Sequence, residues 1–375
     1  MTAKKLVIQT EVSFLADFLL ERNIKNVLLV TGKDSYSLSG ARKVFNGLLK
    51  PFSVVHFQDF SVNPAFSEAQ AGSDLCRENR CQAIISVGGG SSIDVAKSIN
   101  AFQAHPERAL DILRGDLPLT GPLLPSVAVP TTAGTGSEAT HFAVLYFENR
   151  KYSLASPMLL PDVAVLDPVF TESMTPYISA CCGFDALSQA IESYWAKSAT
   201  GESRQFAQES IEILLKNLPL AVNSPTTQVR ENMMQGAHLS GKAINISKTT
   251  APHALSYTIT SKYGLPHGHA VALTLGSFFE LHESLEKDEA FEQRHHVLMS
   301  LMGVESGGSA KAKWYKLMND CGLEYDLRCL KIGEHERGYI VDQVNIERLS
   351  NHPVELSKSQ LFGAFGSIPC KSGND

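Results

Sequence analysis

The chain has 375 residues, 43% of them hydrophobic and 19% charged, and a formal net charge of −6. A chain of this length can bury a substantial core and has room for two or three domains. Its acidic balance, with no arginine-rich run or basic stripe, argues against a nucleic-acid partner. Because no stretch approaches the ~20 apolar residues that a helix needs to cross a bilayer, we expect no membrane partner either.

The N-terminal segment and the cysteines indicate a cytoplasmic protein. Polar residues interrupt the apolar run of MTAKKLVIQTEVSFLADFLL, and no small-residue cleavage site follows, so we expect mature structure there and not a signal peptide. The seven cysteines are an odd number and form no CxxC pair. Scattered cysteines of this kind are typical of reduced thiols in the cytoplasm.

In chain order, the first half alternates between short apolar runs and amphipathic stretches. The apolar runs predict buried strands at 26–32, 52–57, 81–90, 125–132 and 161–168. The stretches between them predict helices at 37–50, 66–80 and 91–104. Strands and helices in alternation indicate a parallel sheet with crossover helices.

The pattern changes after about residue 175, where strand-like runs largely vanish. Helical periodicity continues through ACCGFDALSQAIESYWA, SRQFAQESIEILLKNLPLAV, VRENMMQGAHLSGKAI and PHALSYTITSKY. We therefore predict an α/β domain over residues 1–178 and an all-helical domain over residues 179–375.

A glycine-rich turn between a strand and a helix is the first candidate binding site. The segment ISVGGGSSIDVAKS (85–98) places three glycines after an apolar strand, where the backbone can approach a ligand closely. The amides of Gly89 and Gly90 at the start of the helix favour an anionic group, and Ser91 can cap the helix or donate to a phosphate oxygen. The turn is not GxGxxG, and a tight turn without a ligand is the alternative.

A second small-residue loop, PTTAGTGSEAT (130–140), also follows a strand. Its threonines, glycines and serine supply hydroxyl groups and allow close backbone approach, although alone it is typical of any polar turn. Two such loops at the carboxyl ends of strands in one parallel sheet predict a single crevice for a dinucleotide.

The end of the first strand bears on which dinucleotide binds. A site that prefers NAD without a 2′-phosphate usually has an acid here, which binds the ribose 2′-hydroxyl. This chain has Gly32, followed by Lys33 and Ser35, which leaves room for a phosphate and supplies a cation. We therefore predict NADPH, with NADH as the alternative because Asp34 lies beside Lys33.

The helical half contains a candidate metal site. Asp185 and Gln189 are four residues apart on a predicted helix and so project from one face. His253 and His267 lie in separate segments, so the fold must bring them to Asp185. One carboxylate and two histidines make a three-ligand site with an open position, as in catalytic zinc or ferrous iron sites. Gln189 can add a weak amide-oxygen ligand or hold a water on the metal.

Taken together, these motifs resemble the iron-containing alcohol dehydrogenase family, which includes glycerol dehydrogenase and is distantly related to dehydroquinate synthase. The segments that carry the resemblance occur in family order and span nearly the whole chain: GGGSSIDVAK, PTTAGTGSE, LPDVAVLDP, GFDALSQAIESYW, PHALSY and LPHGHA. The resemblance implies a dehydroquinate synthase-like fold, with an α/β dinucleotide-binding domain before an all-α metal- and substrate-binding domain. It also implies a homo-oligomer that catalyses hydride transfer on a small alcohol or aldehyde.

The resemblance assigns the metal site residue by residue. The family's metal-binding aspartate and two of its histidines fall on Asp185, His253 and His267. Its remaining metal histidine falls on Gln189, and a further histidine of many members falls on Tyr257. The glutamine weakens the site without removing it, since glycerol dehydrogenase also manages with one acid and two histidines. Zinc therefore stands beside iron as the expected metal, and a metal-free enzyme is the alternative.

Cofactor positions also carry over from the family. They fall on Gly90, Ser91, Thr131, Thr132, Lys151 and Phe170. Gly89, Asp94 and Ser137, from the same two loops, complete the predicted cofactor-binding set. The family's NAD-selecting aspartate falls on Gly32, which favours NADPH further.

One stretch of the helical half is more specialised. The segments GKAINISKTTAPHALSY and LPHGHAVALTLGSFF resemble the phosphonoacetaldehyde reductase subgroup, which also has glutamine at the metal position. A phosphonate dianion needs fixed donors. Candidate donors lie beside the predicted ligands in the sequence: Lys248, Thr249, Thr250, His269 and Lys242. The alternative is that Lys248 is a solvated surface lysine, as charged residues usually are.

The expected reaction is NAD(P)H-dependent reduction of phosphonoacetaldehyde to 2-hydroxyethylphosphonate, with a metal that polarises the aldehyde oxygen. The new alkoxide takes its proton from water, from Tyr257 or through a relay that includes His269. Three other interpretations stay open: a general small-alcohol dehydrogenase, a carbocycle synthase of the dehydroquinate type that keeps its NAD bound, and a relative that binds nucleotide without catalysis.

Overall fold

The computed structural model describes residues 5–148, 150–286, 288–344 and 349–371. The chain divides into two units, Met1–Met174 and Thr175–Asp375. Strands and helices alternate in the first unit, and helices make up the second. No helix among the described residues has the length and apolar character to cross a membrane.

The strands of the first unit are β1 (Val7–Gln9), β2 (Asn26–Thr31), β3 (Ser53–Phe57), β4 (Ala83–Gly88), β5 (Ser126–Pro130), β6 (Phe142–Phe147), β7 (Arg150–Ala155) and β8 (Val163–Val165). Six of these described strands form one sheet in the order β1-β8-β5-β4-β2-β3, and neighbouring strands in it are parallel. The other two, β6 and β7, pair as an antiparallel hairpin. The parallel sheet predicted from the sequence is confirmed.

The helices of the first unit are α1 (Leu15–Glu21), α2 (Ser35–Leu38), α3 (Ala41–Leu48), α4 (Phe66–Glu78), α5 (Gly90–Ala104) and α6 (Ala109–Arg114). The helices predicted at 66–80 and 91–104 agree with α4 and α5. The single helix predicted at 37–50 is wrong, because the chain breaks between α2 and α3. Gly40 lies at the break with a φ of +75°, a left-handed conformation that glycine adopts at little cost.

Both faces of the sheet are buried, which explains the continuous apolar runs of its strands. Successive residues of β2 point to opposite faces. Val27 and Leu29 join a core cluster that includes Phe45 of α3. Leu28 joins another cluster, on the opposite face, that includes Ile99 of α5. Packing on both sides fixes the strand ends and therefore the loops that follow them.

The helices of the second unit are α7 (Pro176–Trp195), α8 (Gly201–Asn223), α9 (Thr227–Ser247), α10 (Ala251–Tyr263), α11 (His267–Ser284), α12 (Glu289–Leu301), α13 (Gly307–Asp320), α14 (Glu334–Asp342) and α15 (Lys358–Gly366). The described part of this unit contains no strand. The predicted all-helical character of the second half is confirmed.

The helix α7 is held at its start and packed tightly along its length. The side chain of Thr175 accepts a hydrogen bond from the backbone nitrogen of Ile178, as an N-cap residue does. Gly183 lets the neighbouring helices approach: a Cβ there would lie 2.3 Å from the side chain of Leu218 and 2.9 Å from that of Met233. Side chains on α7 therefore have fixed positions relative to α8 and α9.

Candidate functional site

The predicted cofactor loops follow three neighbouring strands of the sheet. In the sheet, β3 lies on one side of β2 and β4 lies on the other side. The order in which the chain adds strands therefore changes direction between β2 and β4. In open parallel sheets, ligands bind at such a switch point, outside the carboxyl ends of the strands. The loops at 32–35, 88–91 and 131–137 follow β2, β4 and β5, so the fold brings all three to this edge.

The two glycine-rich loops touch each other. The backbone nitrogen of Thr131 donates to the carbonyl oxygen of Gly88 at 3.0 Å. A Cβ at Gly88 would lie 2.3 Å from the hydroxyl oxygen of Ser92, and one at Gly90 would lie 2.8 Å from the side chain of Thr135. Only glycine allows this close packing. The start of α5, with its first backbone amides, lies at the switch point.

The helix α5 begins one residue earlier than predicted, and this changes the role of Ser91. Gly89 is the N-cap residue, and Gly90 is the first residue of the helix. Ser91 therefore lies inside the first turn, where its hydroxyl group donates to the carbonyl oxygen of Val62. The capping role predicted for Ser91 is wrong. The preference of this helix start for an anion rests on its backbone amides.

The end of β2 has an acidic neighbour that the sequence analysis did not consider. A Cβ at Gly32 would lie 2.4 Å from the hydroxyl oxygen of Ser35, so a larger residue here requires the Ser35 side chain to turn away. Lys33 is exposed, and its Nζ lies 3.5 Å from Oδ1 of Asp59, an exposed residue shortly after β3. The cation expected to favour a 2′-phosphate thus has a competing partner. The preference for NADPH stays a prediction.

Asp94 and Ser137, both predicted to bind the cofactor, hydrogen-bond to each other. The hydroxyl group of Ser137 donates to Oδ1 of Asp94. The backbone nitrogen of Val144 donates to Oδ2 of the same carboxyl group at 3.0 Å. Burial raises the pKa of Asp94, and the positive charges of Lys97 and Lys151 act against this rise. In this arrangement the carboxyl group connects α5 to the second loop.

Lys97 is a buried cation that the sequence analysis missed. Its Nζ donates to the carbonyl oxygen of Ser137 at 2.6 Å, to Oγ1 of Thr140 at 3.0 Å and to a backbone carbonyl of β6 at 2.9 Å. Burial lowers its pKa to about 8, against the opposing charges of Asp94 and Glu138. The sequence feature that could have revealed it is its position three residues after Asp94 on an apolar helix. Lys97 holds the second loop against α5.

The threonines of the second loop have side chains suited to a ligand. Oγ1 of Thr131 is buried and has no hydrogen-bond partner among the described residues. Buried hydroxyl groups normally have a partner, so a polar group of a ligand fits here. Thr132 is partly exposed beside Gly89, with its Oγ1 3.4 Å from the position of a Cβ there. The glycine loops, the start of α5 and these hydroxyl groups fit a dinucleotide.

The last two predicted cofactor residues have different surroundings. Lys151 lies on β7, partly exposed, and its charge acts on Asp94. Phe170 is buried in the core, and its ring centroid lies 6.0 Å from that of Phe45. Core packing accounts for Phe170.

In the second unit, the structure brings Asp185, His253 and His267 together. One ligand atom from each lies within 4.8 Å of the others. Oδ1 of Asp185 lies 3.5 Å from Nε2 of His253 and 3.9 Å from Nε2 of His267. Asp185 and His253 are buried, whereas 36% of the His267 side chain is exposed, so the cluster is accessible from the side of His267.

Three helices position these ligands. Asp185 lies in the middle of α7, His253 in the first turn of α10, and His267 is the first residue of α11. Gly268 allows α11 to begin against α7. A Cβ at Gly268 would lie 2.0 Å from the carbonyl oxygen of Cys181 and 2.8 Å from Cβ of Asp185. The observed positions of Asp185 and His267 therefore require a residue without a side chain at position 268.

Two ligand atoms of this cluster lack the partners that buried polar atoms normally have. Oδ1 of Asp185 and Nε2 of His253 are buried, and neither has a hydrogen bond within the described part of the chain. Their separation of 3.5 Å is too long for a good hydrogen bond. A divalent cation between them and His267 would satisfy both atoms. One carboxylate and two imidazoles suit zinc or ferrous iron, so the residues fit the metal.

Glu192 is a buried carboxylate that the sequence analysis missed. It accepts hydrogen bonds from Nδ1 of His253 and, at 2.8 Å each, from the backbone nitrogen and the hydroxyl group of Thr250. With its proton on Nδ1, His253 presents Nε2 to Asp185. Glu192 lies seven residues after Asp185, on the same face of α7. The spacing of the acids in FDALSQAIES was the available signal.

The carboxylates make this cluster favourable for a cation. Burial lowers the pKa of His253, but Glu192 and Asp185 outweigh burial and raise that pKa to about 10. Burial raises the pKa of Asp185, but the neighbouring His253 and His267 lower it overall. Both shifts show that the cluster stabilises a positive charge next to an ionised Asp185.

Gln189, the predicted weak ligand, is buried beside Asp185. Its Oε1 accepts a hydrogen bond from the hydroxyl group of Ser240, on α9, at 3.1 Å. Gln189 lies one helical turn after Asp185 on α7 and is among the groups that lower the pKa of that carboxyl group.

The two predicted catalytic residues differ in their surroundings. The ring of Tyr257 is parallel to that of His267, with centroids 5.9 Å apart and an angle of 4° between the planes. His269 is buried, and its Nε2 donates to the carbonyl oxygen of Glu324 at 2.6 Å. Its Nδ1 accepts from the hydroxyl group of Tyr177 at 3.2 Å. Because both ring nitrogens are engaged, the geometry argues against the predicted relay and substrate roles of His269.

Lys248 and Thr249 lie in the turn between α9 and α10. Lys248 is exposed and has φ 60° and ψ −178°, a conformation found almost only in glycine. The side-chain nitrogen of Asn351 donates to the carbonyl oxygens of Ser247 and Thr249 at 2.8 Å and 3.0 Å. Surrounding hydrogen bonds thus keep Lys248 in an unfavourable conformation, as is common at functional sites.

The other two candidate substrate donors have partners of their own. The hydroxyl group of Thr250 donates to Glu192 and accepts from Nε1 of Trp195 at 2.9 Å. Nζ of Lys242 lies 3.7 Å from the ring centroid of Phe206. A cation–π contact accounts for Lys242 without a substrate.

Comparisons with known proteins match the chain to the family that its motifs resemble. Two family models match the chain: iron-containing alcohol dehydrogenase over residues 4–168, and the C-terminal model of the Fe-containing alcohol dehydrogenase family over residues 179–364. The chain is similar in structure to sulfoacetaldehyde reductase from Bifidobacterium kashiwanohense in complex with NAD+. The TM-score is 0.89 at 28% sequence identity, and the match covers 100% of this chain and 98% of that one.

Two curated proteins show how varied the substrates of such relatives are. The choline dehydrogenase of Bacillus subtilis is 32% identical over 348 residues, which cover 91% of this chain and 84% of that protein. The phosphonoacetaldehyde reductase of Streptomyces viridochromogenes is 31% identical over 338 residues, which cover 85% of this chain and 83% of that protein.

Proposed function

Because the chain belongs to the iron-containing alcohol dehydrogenase family, we propose that it reduces a small aldehyde to the alcohol with NADPH or NADH and a divalent metal. As a member of this family it is an oxidoreductase. The observation that carries the proposal is the cluster of Asp185, His253 and His267, in which two buried ligand atoms have no other partner among the described residues.

Residues around the cluster have distinct tasks in this proposal. A divalent metal, when bound by these three ligands, supplies Lewis-acid polarisation of the carbonyl group. Glu192 keeps Nε2 of His253 directed at the metal position. The half-exposed side of the cluster, at His267, admits the substrate. Tyr257 lies against His267, and we assign its hydroxyl group as the proton donor to the alcohol product.

The cofactor is assigned to the switch point between β2 and β4. The nicotinamide cofactor, when bound, supplies a hydride to the carbonyl carbon. The packed glycine loops, the start of α5 and the buried hydroxyl group of Thr131 support this assignment. The NAD+ in the similar sulfoacetaldehyde reductase supports a nicotinamide cofactor. Gly32 and Lys33 favour NADPH over NADH, although Asp59 competes for the lysine.

The substrate that we propose is phosphonoacetaldehyde, which the enzyme reduces to 2-hydroxyethylphosphonate. Two similar proteins are named for two-carbon aldehydes with an anionic oxyacid group, one a phosphonate and one a sulfonate. Lys248 supplies an exposed ammonium group, and Thr249 a hydroxyl group, in the turn directly before α10. This turn is five residues from the ligand His253 in the sequence. We assign both residues to the phosphonate group.

The test is a comparison of aldehydes in the full-length protein, followed by the loss of NADPH or NADH absorbance. Phosphonoacetaldehyde should be reduced with a kcat/KM at least about tenfold above that of propionaldehyde, since two charge-assisted bonds are made only to the phosphonate. Lys248→Ala should raise the KM for phosphonoacetaldehyde and leave that for propionaldehyde unchanged. Lys331→Ala is the control, because Lys331 is also an exposed lysine with a positive φ, of 56°.

A general small-alcohol dehydrogenase is the second candidate. The similar choline dehydrogenase is named for a cationic alcohol, so an identity of about a third accompanies quite different substrates. Equal kcat/KM values for both aldehydes, with no effect of Lys248→Ala on either, would replace the phosphonate proposal with this one.

A further inference from the structure

A residue from the C-terminal part of the chain holds the strained turn at Lys248. This turn follows the last residue of α9, where backbone carbonyl groups have no partner within the helix. The side-chain nitrogen of Asn351 donates to the carbonyl oxygen of Ser247 at 2.8 Å and to that of Thr249 at 3.0 Å. Its two hydrogen bonds therefore lie on either side of the residue with the unfavourable backbone conformation.

Backbone groups fix the orientation of the Asn351 amide. Its Oδ1 accepts a hydrogen bond from the backbone nitrogen of Ser198 at 3.1 Å. A backbone nitrogen only donates, and a backbone carbonyl oxygen only accepts, so the amide oxygen must face Ser198 and the amide nitrogen must face the turn. Both N–H bonds of the amide nitrogen then have an acceptor in the turn.

Asn351 is itself firmly anchored in the second unit. Its carbonyl oxygen accepts from the backbone nitrogen of Lys197 at 3.0 Å. The next residue, His352, is fully buried, and its Nε2 lies 3.0 Å from Nε2 of His282 on α11. The ring of His352 also packs edge-on against Trp195, with centroids 6.2 Å apart. Anchored in this way, Asn351 can keep its two carbonyl partners in place.

We propose that Asn351 is a positioning residue for substrate selectivity: it keeps the turn between α9 and α10 in the conformation in which Lys248 and Thr249 bind the phosphonate group. The proposal rests on the proposed phosphonate site. A strained backbone persists only where its surroundings hold it. Without the amide of Asn351, Lys248 relaxes to a negative φ, and both donors move away from the substrate.

The kinetic test compares Asn351→Ala with the unsubstituted full-length protein on phosphonoacetaldehyde and propionaldehyde. The selectivity ratio, which is kcat/KM for the first aldehyde divided by that for the second, should fall at least about fivefold through a higher KM for phosphonoacetaldehyde. A merely structural role gives another result. Because α10 carries the ligand His253, a general disturbance of this helix would lower kcat for both aldehydes and leave the ratio unchanged.

The matched control is Asn223→Ala. The side-chain nitrogen of Asn223 also donates to two backbone carbonyl oxygens, those of Pro219 and Asp320, at 3.0 Å and 3.1 Å. This variant loses similar hydrogen bonds at the end of α8 and should keep the selectivity ratio. If Asn351→Ala does not fold, Asn351→Ser replaces it, because a shorter side chain with one donor cannot bond to both carbonyl groups of the turn.

A second measurement tests the hold on the turn without any substrate. Lys248→Gly is made in the unsubstituted protein and in Asn351→Ala, and the melting temperatures are compared. Glycine relieves strain only while the turn is held in its unfavourable conformation. We therefore expect Lys248→Gly to raise the melting temperature of the unsubstituted protein and not that of Asn351→Ala.

Two results would overturn the inference and leave the proposed function intact. One is a selectivity ratio in Asn351→Ala equal to that of Asn223→Ala, while Lys248→Ala still lowers it. The other is an equal rise in melting temperature from Lys248→Gly with and without Asn351. By contrast, an unchanged ratio in Lys248→Ala would overturn the phosphonate site itself, and the selectivity role of Asn351 with it.

Discussion

Replacing Gly268 with alanine should damage the metal centre through backbone packing alone. A Cβ at this position would lie 2.0 Å from the carbonyl oxygen of Cys181 and 2.8 Å from Cβ of Asp185. Real Cβ contacts are essentially never shorter than 3.0 Å, so the start of α11 must move about 1 Å away from α7. His267 is the first residue of α11 and must move with it.

A shift of about 1 Å exceeds what a metal site tolerates, because ligand distances must stay within ~0.2 Å of their preferred values. We expect Gly268→Ala to weaken Zn²⁺ affinity by at least about 10-fold and to cost about 1–3 kcal/mol of unfolding free energy through overpacking. Calorimetric titration with Zn²⁺ and thermal unfolding in the presence of a chelator measure these two effects separately.

The matched control is Gly363→Ala in the same unit. Gly363 is inside α15, and outside the adjoining stretch of its own helix no described residue has a heavy atom within 4 Å of the position of its Cβ. This substitution should raise stability by about 0.5–1 kcal/mol, since alanine is the better helix former, and should leave Zn²⁺ affinity unchanged. If Gly268→Ala binds Zn²⁺ with unchanged affinity and unfolds at an unchanged temperature, the argument from close helix packing is refuted.

Three further substitutions test other parts of the account. Glu192→Gln keeps the volume of the side chain but removes the negative charge that supports His253, so Zn²⁺ affinity should fall about 10–100-fold. An unchanged affinity would show that Glu192 does not orient His253 for the metal. Lys97→Met should weaken NADH binding, measured by cofactor fluorescence, because the loop after β5 loses its buried donor. The pKa of Lys97 is about 8 when folded and ~10.4 when unfolded. The unfolded chain then binds more protons between these values, so the stability of the unsubstituted protein relative to Lys97→Met should rise with pH from about 8 to 10. If this difference in stability stays constant or falls over this pH range, burial does not lower the pKa of Lys97. Lys248→Gly should relieve about 1–3 kcal/mol of backbone strain, less the ~0.5–1 kcal/mol entropic cost of glycine. The melting temperature and the KM for phosphonoacetaldehyde should both rise. A lower melting temperature would show that the backbone at Lys248 is not strained.

Local patterns predicted the sheet well because both faces of its strands are buried. The runs around Val27, Ile85 and Val127 are almost wholly apolar, and buried parallel strands require this. The strand β1 was missed because its residues alternate little and Val7 and Ile8 are about half exposed. The break at Gly40 was missed because a single glycine inside a helical pattern does not reveal a left-handed backbone.

The candidate metal site shows the limit of reasoning from sequence more clearly. The spacing of Asp185 and Gln189 indicates one helix face, but no local pattern reveals that α10 and α11 bring His253 and His267 to that face. The hydrogen bond between Gln189 and Ser240 joins residues that are 51 positions apart in the sequence. Hydrogen bonds with Tyr177 on α7 and with Glu324 after α13 also engage both nitrogens of His269, which the sequence alone made a candidate for catalysis.

The metal dependence of aldehyde reduction tests the central claim most directly. The full-length protein would be treated with a chelator, analysed for metal content, and assayed with NADPH and phosphonoacetaldehyde before and after addition of Zn²⁺ or Fe²⁺. The account predicts that activity disappears with the metal and returns with either ion, but does not return in a protein with His253→Ala. Full activity in a preparation that contains no measurable metal would contradict it.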